Sequence, residues 1–310
     1  MSLTKSKFYL SHLGRELIPK RYWRYRKEQI TDSSQLSSEY VIERVNYYAK
    51  GTAKFHTSSH SKTLNALSTF NEPSVPCIDL INYLRYFNPN LRFDYTFEDL
   101  FSIPSVPCFT KNRPISNSNH MYVLMKLNSV RFFNFTKDYQ PFSAKRNIAI
   151  FRGPCHRPHR KYFINNCFHK NKVDAGDTRP KEVSREFHKP YMKSKDMMSN
   201  KFIISLEGND VSSSLPWIMA SNSLAFMPQP VFEGWFMQGQ LKPNYHYVLL
   251  KDDYSDLEEK IDYYSSNTEE ALYIINNAHQ HVAQFFDHKS ELLISLLVLE
   301  KYFTLSGQLN

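Results

Sequence analysis

The stretch from Lys201 to Tyr247 does most to limit what this chain can fold into, because strand-like and helix-like pieces follow one another in it at βαβ spacing. It opens on Phe202-Ile-Ile-Ser-Leu206, an apolar run whose length and β-branched content suit a buried parallel strand. A polar loop follows, with Glu207, Gly208, Asn209, Asp210, Ser212, Ser213 and Ser214. Leu215 to Ser221 then reads as a helix, with Ser213 or Ser214 as N-cap and Pro216 in the first turn, where its missing N–H costs nothing. Ser223 to Met227 predicts a second buried strand, ended by Pro228. Units of this kind seat ligands at the carboxyl end of the first strand, and backbone N–H groups at a helix start favour phosphate there. An ordinary crossover with no ligand has the same periodicity.

The alternation continues on both sides. Asn147-Ile-Ala-Ile-Phe151 predicts a strand running into Arg152, Gly153, Arg157 and Arg160, with a helix expected from Lys161. Glycine lets the backbone approach a ligand and guanidinium groups hold phosphate oxygens in pairs, so this is what a diphosphate site needs. Residues 170–200 read as loop and helix. Further on, a strand is expected over Tyr245–Leu250 and helices over Asp252–Ile261, from Thr268 past Val282, and over Leu292–Phe303. In the first third, helices are expected around Ser38–Ala49 and Ile78–Phe87.

No metal site is expected. Cys155, His156, His159, Cys167 and His169 lack the paired spacing of structural zinc. His56 and His60 read as a solvated loop, and Asp252 with Asp253 as a helix N-cap and first-turn charge.

A chain of 310 residues is long for one core, so two domains are expected, 1–145 and 146–310, with the boundary near 143–147. The four cysteines are scattered and suggest no disulfide framework, hence a reducing compartment. No signal-peptide pattern is visible, and the longest apolar run, Leu292 to Leu299, is too short to span a bilayer. A cytoplasmic protein is expected, soluble or peripheral on the inner face of the membrane. The net charge of +9 implies an anionic partner, and the absence of any RRM, zinc-finger, KH or basic-zipper pattern argues against nucleic acid. Residues 1–30 concentrate a net +6 around Tyr22, Trp23 and Tyr25. That mix suits an anionic membrane surface, and equally a solvated basic face with its aromatics packed inward.

The order of Glu207-Gly-Asn, the serine loop, Leu215-Pro-Trp-Ile-Met, Ser221-Asn-Ser, Phe232-Glu-x-Trp-Phe236, Leu241-x-Pro243 and His246-Tyr247 resembles glycosyltransferase family 90. That family includes bacterial lipopolysaccharide-core transferases, fungal capsule-associated proteins and animal protein O-glucosyltransferases. Ile103-Pro-Ser-Val-Pro-Cys-Phe-Thr-Lys-Asn-Arg113-Pro114 and Phe151-Arg152-Gly153 are similar to it too, so the resemblance runs from about Asp94 to Phe303.

The resemblance implies an α/β fold of the GT-B kind, two Rossmann-like domains facing across a cleft, here with a helical C-terminus. It implies inverting, metal-independent transfer of a sugar from a nucleotide-sugar, UDP-linked, to a hydroxyl of a lipopolysaccharide-core or similar glycan or glycolipid, with no further cofactor. A base must take the acceptor proton, and of Asp94, Glu98 and Asp99 the family pattern points first to Asp99 and second to Asp94. The donor would be held by Lys111, Arg113, Arg152, Gly153, Arg157 or Arg160, Gly208, Asn209, Asp210, Ser212, Ser213, Ser214 and Glu233. Serine stands at 214 where many animal and fungal members have arginine, which throws the diphosphate charge onto the arginines at 152–160. Trp235 fits the motif and fits plain packing equally. A non-catalytic carbohydrate- or anionic-lipid-binding protein on the same fold is the contrasting expectation.

Overall fold

In the computed structural model, five stretches of the second half form one parallel sheet. Its strands are β1 (Arg146–Gly153), β2 (Val173–Asp177), β3 (Asn200–Ile204), β4 (Leu224–Met227) and β5 (Val248–Leu249). They lie in the order β2-β1-β3-β4-β5. Every residue of β3 and β4 is buried, as expected where helices cover both faces of a parallel sheet. The helices Pro158–Cys167 and Leu215–Met219 connect strands, Leu257–Ser266 and Thr268–Ala283 follow the last one, and Phe151, Phe163, Phe202, Phe226, Leu257 and Ile274 share the resulting core.

The structure describes residues 3–31, 38–69, 72, 74–98, 103–133 and 135–309. They fall into two compact units: Met1–Arg131 with Phe232–Phe236 and Phe285–Asn310, and Phe132–Val231 with Met237–Gln284. The chain therefore passes between units several times, where the sequence suggested one boundary near 145.

Several local expectations shift. The segment 170–200 contains β2, which was not expected because Val-Asp-Ala-Gly-Asp carries two carboxylates and a glycine. The helix after β1 starts at Pro158, not Lys161, since Pro fits the first turn. The last strand of the sheet is Val248–Leu249 alone, and the helix beyond it starts at Leu257 after Asp256. Asp253 instead accepts from the Ser255 amide, 3.0 Å away, in a turn before that helix.

The first unit is built from the helices Leu3–Glu16, Lys20–Thr31, Glu39–Tyr48, Val75–Leu84 and His288–Leu305. Among its described residues the strands form only two-stranded ladders: Lys62–Thr63 with Arg92–Phe93, Cys108–Thr110 with Tyr122–Leu124, and Asn112–Pro114 with Phe232–Gly234. Among the described residues a Rossmann-like sheet is thus seen in the second unit, while the first shows strands of two or three residues only.

Buried ion pairs tie distant parts of the chain into this unit. Arg113, 0% exposed, sends Nε to Glu233 Oε1 at 2.7 Å, Nη2 to the Tyr47 carbonyl at 2.6 Å, and Nη1 to the Tyr48 and Tyr122 carbonyls at 3.2 and 3.3 Å. The Tyr47 hydroxyl donates to the other oxygen of Glu233. In the same unit, Glu291 accepts from Arg44 at 2.7 Å, Lys126 at 2.6 Å and the Trp235 indole at 2.7 Å. Trp235 also stacks on Tyr48 with ring centroids 3.8 Å apart, so its role is packing. Burial opposes the charge on Arg44, yet Tyr48, Glu291 and Tyr40 hold its pKa above the ordinary value.

Two outcomes follow from these buried charges. Glu233→Gln strips Arg113 of its counter-charge in a site without water access, and should cost about 3–5 kcal/mol; a urea midpoint that does not move would contradict the pairing. Asp79 is buried and accepts from the Ser129 amide at 2.8 Å and hydroxyl at 2.9 Å, yet burial pushes its carboxyl up to about 7. The folded state then keeps a proton that the unfolded chain releases near 3.8, so this stabilisation is full below that pH and is lost as pH rises through about 7. Stability measured across that window should fall with pH in the native chain and fall less in Asp79→Asn.

Candidate functional site

The sheet order decides where a ligand can enter the second unit. β2 pairs on one side of β1 and β3 on the other, so the connections leaving β1 and β3 diverge at their carboxyl ends. In an open parallel sheet this point of reversal leaves a crevice where ligands bind. The loop after β1 carries Arg157 and leads to Arg160 in the first turn of Pro158–Cys167, and the loop after β3 carries Gly208 to Ser214. The structure therefore gathers Gly153, Arg157, Arg160, Gly208, Asn209, Asp210, Ser212, Ser213 and Ser214 around the two strand ends.

The two loops are bonded to one another. Arg160 donates from Nε to the Glu207 carbonyl at 2.7 Å, from Nη2 to the Leu206 carbonyl at 2.7 Å and from Nη1 to the Pro154 carbonyl at 3.2 Å. His159 Nε2 lies 2.7 Å from the same Glu207 carbonyl. Arg157 Nε donates to Asn209 Oδ1, with His156 Nε2 3.3 Å from that oxygen. A Cβ at Gly153 would stand 3.3 Å from Arg160 Nη1 and 3.1 Å from the Phe151 ring, so glycine leaves room for the guanidinium. Within the second loop the Gly208 amide donates to the Asp210 carbonyl at 2.9 Å. Ser205 Oγ donates to Ser212 Oγ at 2.8 Å, and Ser212 and Ser214 share a bond of 3.0 Å. Ser214 occupies the N-cap position of Leu215–Met219 without a side-chain bond to that helix.

Asp177, at the end of β2, is a positioning residue that sequence reasoning missed. It accepts from the Cys155 amide at 3.1 Å, the Arg179 amide at 3.0 Å and the Arg179 guanidinium at 2.7 and 2.9 Å. Burial raises its pKa, but the bonds from Arg179 and Cys155 outweigh that and leave it below the ordinary carboxylate value. Its carboxylate thus fixes the start of the loop after β1. Only the presence of β2 beside β1 gives it that meaning.

Other predicted residues have different surroundings. Arg152 lies on β1 with its guanidinium paired to both carboxylate oxygens of Asp174, at 2.8 and 2.9 Å, and to the Asp174 and Phe151 carbonyls. Arg113 and Glu233 are each other's partners in the core of the first unit. Asp94, half-buried in that unit, receives the Ser58 amide at 3.0 Å on one oxygen and the Ser58 hydroxyl on the other, which ties it to a segment 36 residues earlier. Lys111, half-buried, sits between the Cys108–Thr110 and Asn112–Pro114 strands. Asp99 lies outside the described residues.

The four cysteines are buried and unpaired, and burial pushes each thiol up to about 12. Among the described residues no three His, Cys, Asp or Glu side chains converge as metal ligands, and no helix is long and apolar enough to cross a membrane.

Residues 127–305 match the family described as Glycosyl transferase family 90, and that span takes in β1 to β5 with both loops of the crevice. The chain is 37% identical over 306 residues to "O-glucosyltransferase LpsA" of Dichelobacter nodosus, covering 97% of this chain and 96% of that protein. It is 32% identical over 76 residues to "Protein O-glucosyltransferase 2" of Danio rerio, covering 24% of this chain and 15% of that protein. With a family match across more than half its length and a near full-length relative, the chain belongs to glycosyl transferase family 90 and is a glycosyltransferase.

Proposed function

We propose that this chain transfers a sugar, with inversion at the anomeric carbon, from a UDP-linked donor to a hydroxyl of a lipopolysaccharide-core or similar surface glycan. One observation carries the reading: the strand-order reversal between β1 and β3 falls at the two loops that hold the arginines and serines of the family pattern. Both relatives named above are O-glucosyltransferases, which makes glucose the first sugar to test.

In this reading the donor diphosphate lies against the β1 and β3 loops. Arg160 is committed to three carbonyls and Arg152 to Asp174, so Arg157 supplies the mobile charge, exchanging the Asn209 oxygen for a phosphate oxygen. The Asn209 and Ser212–Ser214 polar groups then face the donor. Asp99 takes the proton from the acceptor hydroxyl as that oxygen attacks the anomeric carbon. The bond from that carbon to the diphosphate oxygen breaks, and the leaving diphosphate keeps the electron pair beside Arg157. Guanidinium charge and backbone N–H groups can neutralise it without a divalent cation. A GT-B arrangement, with this donor-binding sheet facing an acceptor-binding domain, is part of the same proposal.

Binding tests the donor site first. UDP should raise the thermal midpoint of the purified chain in the presence of EDTA, because a ligand that binds only the folded state stabilises it by mass action. Arg157→Ala should weaken that binding by about tenfold or more, the scale of one charge-assisted bond. Arg152→Lys, by contrast, should lower stability with less effect on UDP affinity. Equal UDP affinity in the native chain and Arg157→Ala would remove Arg157 from the site.

Turnover tests the base. Asp99→Asn should cut transfer by roughly 10²–10⁴-fold, the usual contribution of a general base, while UDP affinity stays unchanged. Unchanged transfer would move the role to another carboxylate.

A further inference from the structure

We propose that the outer face of the first two helices is a docking surface for an anionic lipid bilayer. The helix Leu3–Glu16 is anchored to its unit on one side: His12 is buried, and Glu16 accepts from Arg85 at 2.9 Å. The following helix, Lys20–Thr31, is anchored likewise, by Trp23 against Tyr86 at 5.3 Å and by Lys27 with Glu300 at 2.6 Å. Beside these contacts the first helix and the turn after it carry exposed leucines. Leu10, Leu13 and Leu17 are 68%, 61% and 87% exposed, and their spacing of three and four residues puts them in one stripe. Leu10 and Leu13 on the docked helix and Leu17 in the turn after it, all this exposed, gain nothing from water or from the fold.

Charge around the stripe identifies the occupant. Lys7, Arg21 and Arg24 form no ion pair among the described residues, and Tyr22 and Tyr25, 47% and 57% exposed, stand between the arginines of the second helix. Leucines that enter the acyl boundary, tyrosines at headgroup level and cations toward acidic headgroups are the components of an interfacial anchor. A second copy of the chain fits less well, because a symmetric contact would bring like-charged flanks together. The surface acts independently of the donor crevice, and its test does not depend on transfer.

Vesicle sedimentation of the full chain, with phosphatidylcholine alone or mixed with phosphatidylglycerol, reads the interaction directly. The expected result is binding to the mixed vesicles only, weakening as salt rises. Leu10→Ser/Leu13→Ser/Leu17→Ser should bind about tenfold more weakly, since each leucine loses its buried apolar area. Lys7→Glu/Arg21→Glu, at exposed positions, should lose the preference for anionic lipid. Thermal midpoints equal to the native chain's certify that both variants fold. Binding that neither variant weakens, or equal binding to neutral vesicles, overturns the proposal. So does an absence of vesicle binding, including the case where the leucine variant abolishes a dimer seen in ultracentrifugation.

Discussion

The reversal of strand order beside β1 is the constraint on which the second unit depends. Parallel strands need long crossovers, and two crossovers that leave neighbouring strands in opposite directions cannot cover the ends they leave. The carbonyls at those ends have lost their ladder partners, and a buried carbonyl without a donor is costly. Arg160 meets that need with one rigid fork of donors, binding carbonyls of Pro154, Leu206 and Glu207 from both loops. The fold consumes this arginine for its own closure. Arg157, three residues earlier, is held by a single side-chain oxygen, which is why it is proposed above to exchange that partner for phosphate.

The same distinction explains what could be read from the sequence. β3 and β4 were legible because burial on both faces forces continuous apolar runs, Phe202–Leu206 and Ser223–Met227 to within a residue or two. β2 was not, because an edge strand can take its polar residues into partnerships: Asp174 pairs with Arg152 and Lys189, and Asp177 holds Arg179 and the Cys155 amide. Neither partnership leaves a trace in periodicity. The loops of the crevice were legible through their resemblance to family 90, which pointed to them as the donor site proposed above. It could not say which charged side chains face a ligand. Arg113 and Glu233 sit in family-like motifs, yet they spend their charges on each other across an antiparallel ladder.

Buried pairs of this kind also account for the discontinuous first unit. An apolar core accepts many packings, whereas a buried guanidinium needs a carboxylate at one distance and in one orientation. Glu233 on the short returning segment and Glu291 on the last long helix each meet cations from the first 130 residues. Their ion pairs tie Phe232–Phe236 and Phe285–Asn310 to the amino-terminal part. Hydrophobic pattern alone would have left the final helix with the unit that precedes it, as the sequence expectation did.

Net charge gains meaning from this pairing. The formal +9 of the chain says only that an anion is wanted somewhere. Several of its carboxylates, Glu233, Glu291, Asp138 and Asp177 among them, are buried and committed to arginines and lysines inside the fold. Each such pair removes one cation from the surface account, so what remains exposed is not spread evenly. Around the loops of β1 and β3 the arginine held by one side-chain oxygen is Arg157, beside the strand-end crevice proposed as the donor site. Over the first two helices it is Lys7 and Arg21, exposed in the same region as Leu10, Leu13 and Leu17, the face proposed above for a flat partner. On the two proposals made above, one excess of positive charge would serve two anionic partners of different shape, with internal pairing separating them.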